Sequence, residues 1–186
     1  MKETQQHAAA HPWAVRPERP EDGPLIAALT AASFGPGRFA KSAWRLREGV
    51  APEAGLGFVA VEDGILRGSV RFWPVMVGTD RALLLGPLAV QSDQRGRGIG
   101  IDLMKRGLEA AKAAGWAAVI LVGDAPYYGR VGFAPLTPGR LAFPGPVDPA
   151  RLLGIALADG ALETLEGPVR RARIDEPVCA DGAATA

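Results

Sequence analysis

Apolar residues recur along this chain in two spacings, one typical of strands and one typical of helices. Compact apolar runs predict strands at residues 13–16, 58–61, 65–73, 83–90, 117–122 and, as the last of the series, 152–157. Apolar positions at helical spacing predict one helix that ends near Phe34, a second over residues 38–48, and a longer one over 99–114. Strands and helices in this mixture indicate one α/β domain.

Turn residues refine this pattern at three places. Glu62-Asp63-Gly64 predicts a hairpin, because Asp-Gly suits a turn that needs positive φ. Pro74 is expected to limit pairing of the strand that precedes it. Gly86-Pro87 interrupts the run 83–90, and we favour a bulge there over an ordinary edge strand that carries a proline.

A glycine-rich turn, Gln94-Arg95-Gly96-Arg97-Gly98-Ile99-Gly100, joins the run 83–90 to the long predicted helix. The start of a helix leaves backbone N–H groups unpaired and carries a partial positive charge, so this turn predicts a phosphate or pyrophosphate site. The dinucleotide fingerprint Gly-x-Gly-x-x-Gly fails here, since its last position falls on Ile101 or Leu103. The ATP-type loop fails as well, because Gly100 is followed by Ile101-Asp102.

The pattern that remains, Arg95-x-x-Gly98-x-Gly100 between an apolar strand and an amphipathic helix, resembles the GNAT superfamily of acyl-CoA-dependent N-acyltransferases. Two further segments carry the resemblance: Gly86 to Val90 is similar to the family's fourth strand, and Tyr128 to Phe133 is similar to its Tyr-Glu-Lys-x-Gly-Phe segment. The match extends from about Val15 to Phe133. It implies a GNAT fold of class α/β, with a central mixed, mostly antiparallel twisted sheet, splayed fourth and fifth strands, and flanking helices.

The resemblance further implies acetyl-CoA as the co-substrate, with its pyrophosphate on the amides of the glycine-rich loop. The residues implied to contact it are Arg95, Gly96, Arg97, Gly98, Ile99 and Gly100 in the loop, and Leu88, Ala89 and Val90 along the pantetheine arm. The side chains of Arg95 and Arg97 either bind phosphate or remain solvated. Asp124 either touches the pantetheine or caps the helix that follows it.

Tyr128 matches the family's general acid, whose hydroxyl would give a proton to the departing thiolate. The alternative is a core aromatic with a satisfied hydroxyl, and the family's Glu-Lys pair is replaced here by Gly129-Arg130. No carboxylate occurs from residue 82 to 90, so a general base is left open, and Glu62 is expected to be a solvated turn residue. Positions where the family forms its acceptor wall are Phe34, Phe39, Trp44 and 45–47, and Trp73 could line the same cleft.

Composition narrows the function classes. The chain has two histidines, His7 and His11, both in a polar N-terminal stretch, which excludes Ser–His or Cys–His catalysis in the core and a histidine-rich metal site. A single cysteine, Cys179, fits a reducing cytoplasm. The net charge of +1 gives no strong attraction for nucleic acid or anionic membrane, and no apolar run is long enough to span a bilayer. Residues 1–12 and 170–186 are expected to be a disordered and a flexible tail around one domain, 13–169.

The sequence therefore predicts a cytoplasmic N-acetyltransferase that passes an acetyl group from acetyl-CoA directly to a primary amine of a small molecule or protein. Direct transfer also fits the lack of a cysteine in the core. The alternative is a non-catalytic acyl-CoA-binding or sensory module on the same fold. The expected partners are acetyl-CoA and an amine acceptor, with no metal, nucleic acid or membrane, and a homodimer is left open.

Overall fold

A computed structural model describes residues 11–172 of the 186-residue chain. Within this range a mixed sheet carries the fold, with helices packed against it. The strands are β1 (Ala14–Pro17), β2 (Phe58–Glu62), β3 (Ile65–Val77), β4 (Asp80–Val90), β5 (Ala118–Val122), β6 (Ala134–Pro135), β7 (Leu141–Ala142), β8 (Leu152–Ala156) and β9 (Gly167–Arg171). The helices are α1 (Gly23–Phe34), α2 (Ser42–Arg45), α3 (Ile99–Ala113), α4 (Ala125–Tyr128) and α5 (Ala161–Thr164).

The strand order confirms a mixed, mostly antiparallel sheet. The main path runs β1-β2-β3-β4-β5-β8-β6, and only β4 and β5 are parallel along it. β9 pairs with the end of β3 and with the short strand β7. The hairpin between β2 and β3 is the predicted one, with Asp63 at φ 52° and Gly64 at φ 77°.

β4 and β5 separate soon after they meet. Their parallel pairing joins only Leu83 to Val119 and Leu84 to Ile120. On the other side of β4, Val70 opposes Leu88 while Phe72 opposes Leu85, so β4 carries one extra residue at the predicted Gly86-Pro87 bulge. Beyond the bulge β4 continues along β3 without a β5 partner, which confirms the splayed pair of strands.

The core lies on both faces of the sheet. The apolar face of α3 packs on one face, where Ile99, Leu103 and Met104 are buried. Gly107 lets this helix approach closely, since an added Cβ would lie 2.6 Å from Cζ of the buried Phe72. The opposite face buries a second cluster: Leu46, Val75, Val77, Ala82, Leu84, Ala118, Ile120, Leu141, Leu152, Leu165 and Val169.

The third strand runs further than predicted, because Pro74 lies inside β3 and opposite Leu83. Among the described residues the other edge of β3 has no strand partner at this point, since pairing with β2 ends at Val70 and pairing with β9 begins at Val75. A proline is tolerated where a strand has such a free edge. The expectation that Pro74 limits pairing is therefore wrong.

The predicted helix over residues 38–48 is divided. A 3-10 turn spans Pro36–Ala40, Lys41 is extended at φ −74° and ψ 137°, and α2 follows it. The hydroxyl of the buried Ser42 donates to the carbonyl of Pro146 at 3.0 Å, a long-range contact that fixes the second piece separately.

The C-terminal part of the described chain contains a strand that the pattern did not predict. β9 comes after the run 152–157 that was expected to be the last strand, and it includes Arg170 and Arg171 from the predicted tail. The rest of that tail from residue 173, and the first ten residues, lie outside the described residues. In the part described, no helix has the length and apolar character needed to cross a membrane.

Candidate active site

The glycine-rich loop connects the end of β4 to the start of α3. Gly96 has φ 83° and Gly98 has φ 103°, a left-handed conformation that glycine adopts without steric cost. Gly98 precedes α3, and its carbonyl accepts the N–H groups of Ile101 at 2.9 Å and Asp102 at 3.1 Å. The first N–H groups of a helix have no partner within it, so this loop presents unpaired amides at the positive end of a 15-residue helix.

A cavity of about 390 Å³, here called the loop cavity, opens over these amides. Nearly all of the residues predicted to contact the cofactor line it: Leu88, Ala89, Val90, Arg95, Gly96, Gly98, Ile99, Gly100 and Asp124. Tyr128 lines it as well. The structure therefore gathers the end of β4, the loop and the α4 segment around one space, although they are far apart in the chain.

Arg97 is the exception. Its guanidinium donates to both carboxylate oxygens of Glu62, at 2.7 and 2.9 Å, and lies over the ring of Trp13. The expectation that Glu62 is a solvated turn residue is wrong, because its side chain is only 11% exposed and also faces Arg67 at 3.4 Å. The hydrogen bond from Arg97 lowers the pKa of Glu62. The ion pair of Arg97 with Glu62 thus connects the loop to the β2–β3 hairpin.

Tyr128 lies at the centre of the site, at the end of α4. Its ring packs on Gly123, with Cδ2 2.7 Å from where a Cβ on that glycine would lie. Tyr127 and Phe133 meet the ring edge-on, at centroid distances of 5.2 and 6.0 Å. Burial is the main cause that raises the pKa of Tyr128 to about 12. The hydroxyl is therefore protonated at neutral pH and is able to donate.

Asp124 begins α4 and also lines the loop cavity. Its carbonyl accepts the N–H groups of Tyr127 at 3.0 Å and Tyr128 at 3.1 Å, while its side chain makes no cap hydrogen bond. The carboxylate instead pairs with Arg151 at 3.2 Å and is 76% exposed. Side-chain capping, one of the two roles expected for Asp124, is therefore not what the structure shows.

A second cavity, of about 590 Å³, adjoins the first and is here called the basic cavity. Both cavities are lined by Phe34, Leu88, Asp124, Tyr127 and Tyr128, so they meet at the tyrosines. The basic cavity also contains four basic side chains against two acidic ones: Arg38, Lys41, Arg47 and Arg151 against Asp124 and Asp148.

The predicted acceptor wall is only partly correct. Phe34, Trp44 and Arg47 line the basic cavity, whereas Phe39 and Arg45 do not. Trp73 does not line it either and packs against the second core cluster.

The sequence reasoning missed the basic character of this cavity. Arg38, Lys41 and Arg151 line it, and they come from separate segments before and after the glycine-rich loop. The loop that contains Pro146 closes over α2 through Ser42 and completes the wall. No local pattern signals this, because the cavity forms only once these distant segments pack together.

Acidic side chains at the two cavities are already engaged. Asp124 pairs with Arg151, and Asp148 accepts the N–H of Ala150 at 3.0 Å. Across residues 11–172, no three His, Cys, Asp or Glu side chains come together in a way that could hold a metal ion. The chemistry that these cavities offer therefore consists of backbone amides, tyrosine hydroxyls and basic side chains.

Known proteins resemble this chain over most of its length. Residues 53–135 match the model of the acetyltransferase (GNAT) domain. The chain is 36% identical to YhbS of Escherichia coli K12, an uncharacterized N-acetyltransferase, over 158 residues. This alignment covers 83% of the chain and 93% of YhbS.

Two crystal structures share the fold. The GNAT family N-acetyltransferase YhbS of Escherichia coli, in complex with CoA, aligns with a TM-score of 0.70 and 34% identity over 86% of this chain and 89% of that one. A GNAT family acetyltransferase from Brucella melitensis, in complex with acetyl-CoA, aligns with a TM-score of 0.65 and 28% identity over 86% and 96%. These matches confirm the resemblance drawn from the glycine-rich loop and the Tyr128 segment, and they show that the chain belongs to the GNAT superfamily of N-acetyltransferases.

Proposed function

We propose that this protein transfers an acetyl group from acetyl-CoA directly to a primary amine, with Tyr128 as the general acid. The observation that carries the proposal is that two cavities meet at the half-buried Tyr128, one over the helix amides and one with a basic wall. The CoA and acetyl-CoA complexes of the two structural relatives support the choice of co-substrate. The single cysteine of the chain supports a cytoplasmic location.

The loop cavity fits a pyrophosphate-bearing ligand. Gly96 and Gly98 place no side chain between the backbone and the cavity, and both have the left-handed backbone that glycine tolerates. The amides from Gly96 to Gly100 and the side chain of Arg95 would hold the pyrophosphate. When bound, acetyl-CoA supplies an acyl group activated as a thioester.

The bulged part of β4 would hold the pantetheine arm. Leu88, Ala89 and Val90 line the loop cavity and have no β5 partner, so their backbone groups on that side are available. A backbone N–H at this edge could also stabilise negative charge on the reacting carbonyl oxygen.

Proton transfers at the site balance as follows. The amine nitrogen bonds to the acyl carbon while the carbon–sulfur bond breaks, and Tyr128 gives its hydroxyl proton to the leaving sulfur. The proton that the amine loses passes to water, because Asp124 is exposed and held by Arg151 and β4 carries no carboxylate from Ala82 to Val90. Water returns a proton to the Tyr128 phenolate, which closes the cycle.

The test is a panel of primary amines with acetyl-CoA, measured by release of free thiol. Tyr128→Phe is expected to lower turnover roughly 10²- to 10⁴-fold, the usual contribution of a positioned acid. CoA affinity by calorimetry should change little, because the phenol ring remains. Tyr127→Phe is the comparison variant, since it removes the neighbouring hydroxyl from the same cavities.

Turnover that survives in Tyr128→Phe but is lost in Tyr127→Phe would transfer the acid role to Tyr127. Gly98→Asp, which places a side chain and a negative charge at the loop, should abolish CoA binding, and retained affinity would place the ligand elsewhere. CoA binding with no thiol release for any amine would favour a non-catalytic binding module.

A further inference from the structure

Arg47 lies just beyond α2, in the wall of the basic cavity. Its guanidinium extends across the β4 bulge, with Nη2 2.9 Å from where a Cβ on Gly86 would lie. Arg47 and Tyr128 both line the basic cavity, and the positive charge of Arg47 opposes the pKa increase that burial causes at the Tyr128 hydroxyl. Arg47 is therefore next to both the bulged strand and the proposed acid.

This guanidinium has no hydrogen-bond or ion-pair partner among residues 11–172. Its Nε is buried and unsatisfied, and its close neighbour is the ring of Trp44, at 5.6 Å. Burial lowers the pKa of Arg47 to about 10, so the group still carries its charge at neutral pH. A buried charge without a partner is costly to the folded state, and an anion that binds to it removes that cost.

Several other half-buried arginines of the described chain have carboxylate partners. Arg16 pairs with Asp22 at 2.6 Å, and Arg71 pairs with Glu18 at 2.8 Å. Arg47 differs from Arg16 and Arg71 in having no carboxylate partner and in lining a cavity of ligand size. The missing partner is therefore a property of the site.

Among residues 11–172, two other basic side chains of the basic cavity, Arg38 and Lys41, have no carboxylate partner. Lys41 lies over Phe34, and Arg38 donates to the carbonyl of Gly35 at 2.6 Å, which leaves both positive charges without a carboxylate. The carboxylates of the wall, Asp124 and Asp148, are engaged as described above. An anionic group in the cavity would meet four positive side chains against two negative ones, of which Asp124 is paired with Arg151.

We propose that Arg47 binds a carboxylate of the acceptor, so that the acceptor is a small molecule with both an amine and a carboxylate. The planar guanidinium matches a carboxylate in a bidentate arrangement. The position of Arg47 beside Gly86 and Tyr128 would direct the amine end of such a molecule towards the acyl group. This inference rests on the proposed acetyl transfer and specifies its substrate class.

The test compares amino carboxylates of increasing length, namely glycine, β-alanine and 4-aminobutyrate, with their primary amides. The wild-type enzyme should prefer at least one acid over its amide by about tenfold or more in kcat/KM, as expected for a charge-assisted pair. Arg47→Gln should abolish that preference mainly through KM and leave the amides nearly unaffected. Arg45→Gln is the matched control, since Arg45 is exposed, donates to the carbonyl of Pro144 and does not line the cavity.

Two measurements without acetyl-CoA separate this inference from the proposed function. The preferred acid, but not its amide, should raise the Tm of the wild-type protein and not that of Arg47→Gln. Arg47→Gln alone should leave Tm unchanged or higher, because it removes an unpaired buried charge.

If no amine of either class releases thiol, the proposed function fails, while the Tm measurement still tests carboxylate binding. Equal loss of turnover for acids and amides in Arg47→Gln would mean that Arg47 acts on the transfer itself, and the proposal would be overturned. A lack of acid preference in the wild-type enzyme, or a large fall in Tm on substitution, would overturn it as well.

Discussion

Gly123 controls the position of Tyr128, and replacing it by alanine should impair catalysis by moving the Tyr128 ring, although Gly123 lies outside the loop cavity and only its backbone lines the basic cavity. The backbone permits alanine, because Gly123 is not among the residues with positive φ. The obstacle is Tyr128, whose Cδ2 lies 2.7 Å from the site of the added Cβ.

The size of the effect follows from that distance. Carbon atoms in contact lie about 3.5–4.0 Å apart, so the phenol ring must shift by about 1 Å or more. A misplacement of about 1 Å in a reacting group costs on the order of 10²-fold in rate, which corresponds to about 2.7 kcal/mol. Overpacking of the ring adds about 1–3 kcal/mol of destabilisation, which lowers Tm but leaves the protein folded at 25 °C.

The assay measures kcat by thiol release for Gly123→Ala, together with CoA affinity by calorimetry and Tm by thermal unfolding. Gly129→Ala is the matched control from the same turn, because no heavy atom lies within 4 Å of its added Cβ and its φ is −58°. Gly123→Ala should lose turnover and keep CoA binding, while Gly129→Ala should keep both. Full turnover in Gly123→Ala would refute the reasoning that the placement of the Tyr128 ring limits the reaction.

Three further predictions concern stability and pH. Gly107→Ala should lower the free energy of unfolding, measured in urea. Overpacking against Phe72 costs about 1–3 kcal/mol, which exceeds the ~1 kcal/mol gained in helix propensity. A more stable variant would contradict the close packing of α3. Asp22→Asn should cost about 1.5–3 kcal/mol, since the buried carboxylate accepts two hydrogen bonds from Arg16. The hydrogen bond from Arg16 lowers the pKa of Asp22. The stabilisation by Asp22 is therefore complete above its unfolded pKa of about 3.9 and is lost as the pH falls through its lower folded pKa. In urea unfolding, Asp22→Asn should lack this loss of stability in acid. The pKa of about 12 at Tyr128 keeps the acid protonated, so kcat should show no decline up to about pH 10. The rate is followed by product chromatography, and a decline in kcat centred below about pH 10 would exclude Tyr128 as the acid.

The parts of the fold that depend on local chemistry could be predicted from the sequence. Asp63-Gly64 closes its hairpin with positive φ at both residues, and Gly86-Pro87 forms the expected bulge. The helical spacing of apolar residues predicted the buried face of α3 correctly. In each case the determining residues are neighbours in the chain, so spacing and turn preference were sufficient.

The parts that depend on distant contacts could not be predicted. Pro74 is accommodated inside β3 because it lies in the gap between the β2 and β9 pairings of that strand. The extended Lys41 interrupts the predicted helix, and α2 after it is held by the hydrogen bond from Ser42 to Pro146. The same limit applies to the site. The loop residues and Tyr128 could be found by motif, whereas Arg47 is distinguished by burial and a missing partner, which have no sequence signal.

The separation of β4 from β5 also has a consequence for the protein between reaction cycles. An exposed strand edge is a template on which another chain can add, and proteins commonly protect such edges with charge or cover them. The edge beyond Leu84 cannot be permanently covered here, since the proposed ligand has to reach Leu88 to Val90. In the proposed complex the bound CoA also shields this edge, so self-association of the protein should decrease as the CoA concentration rises.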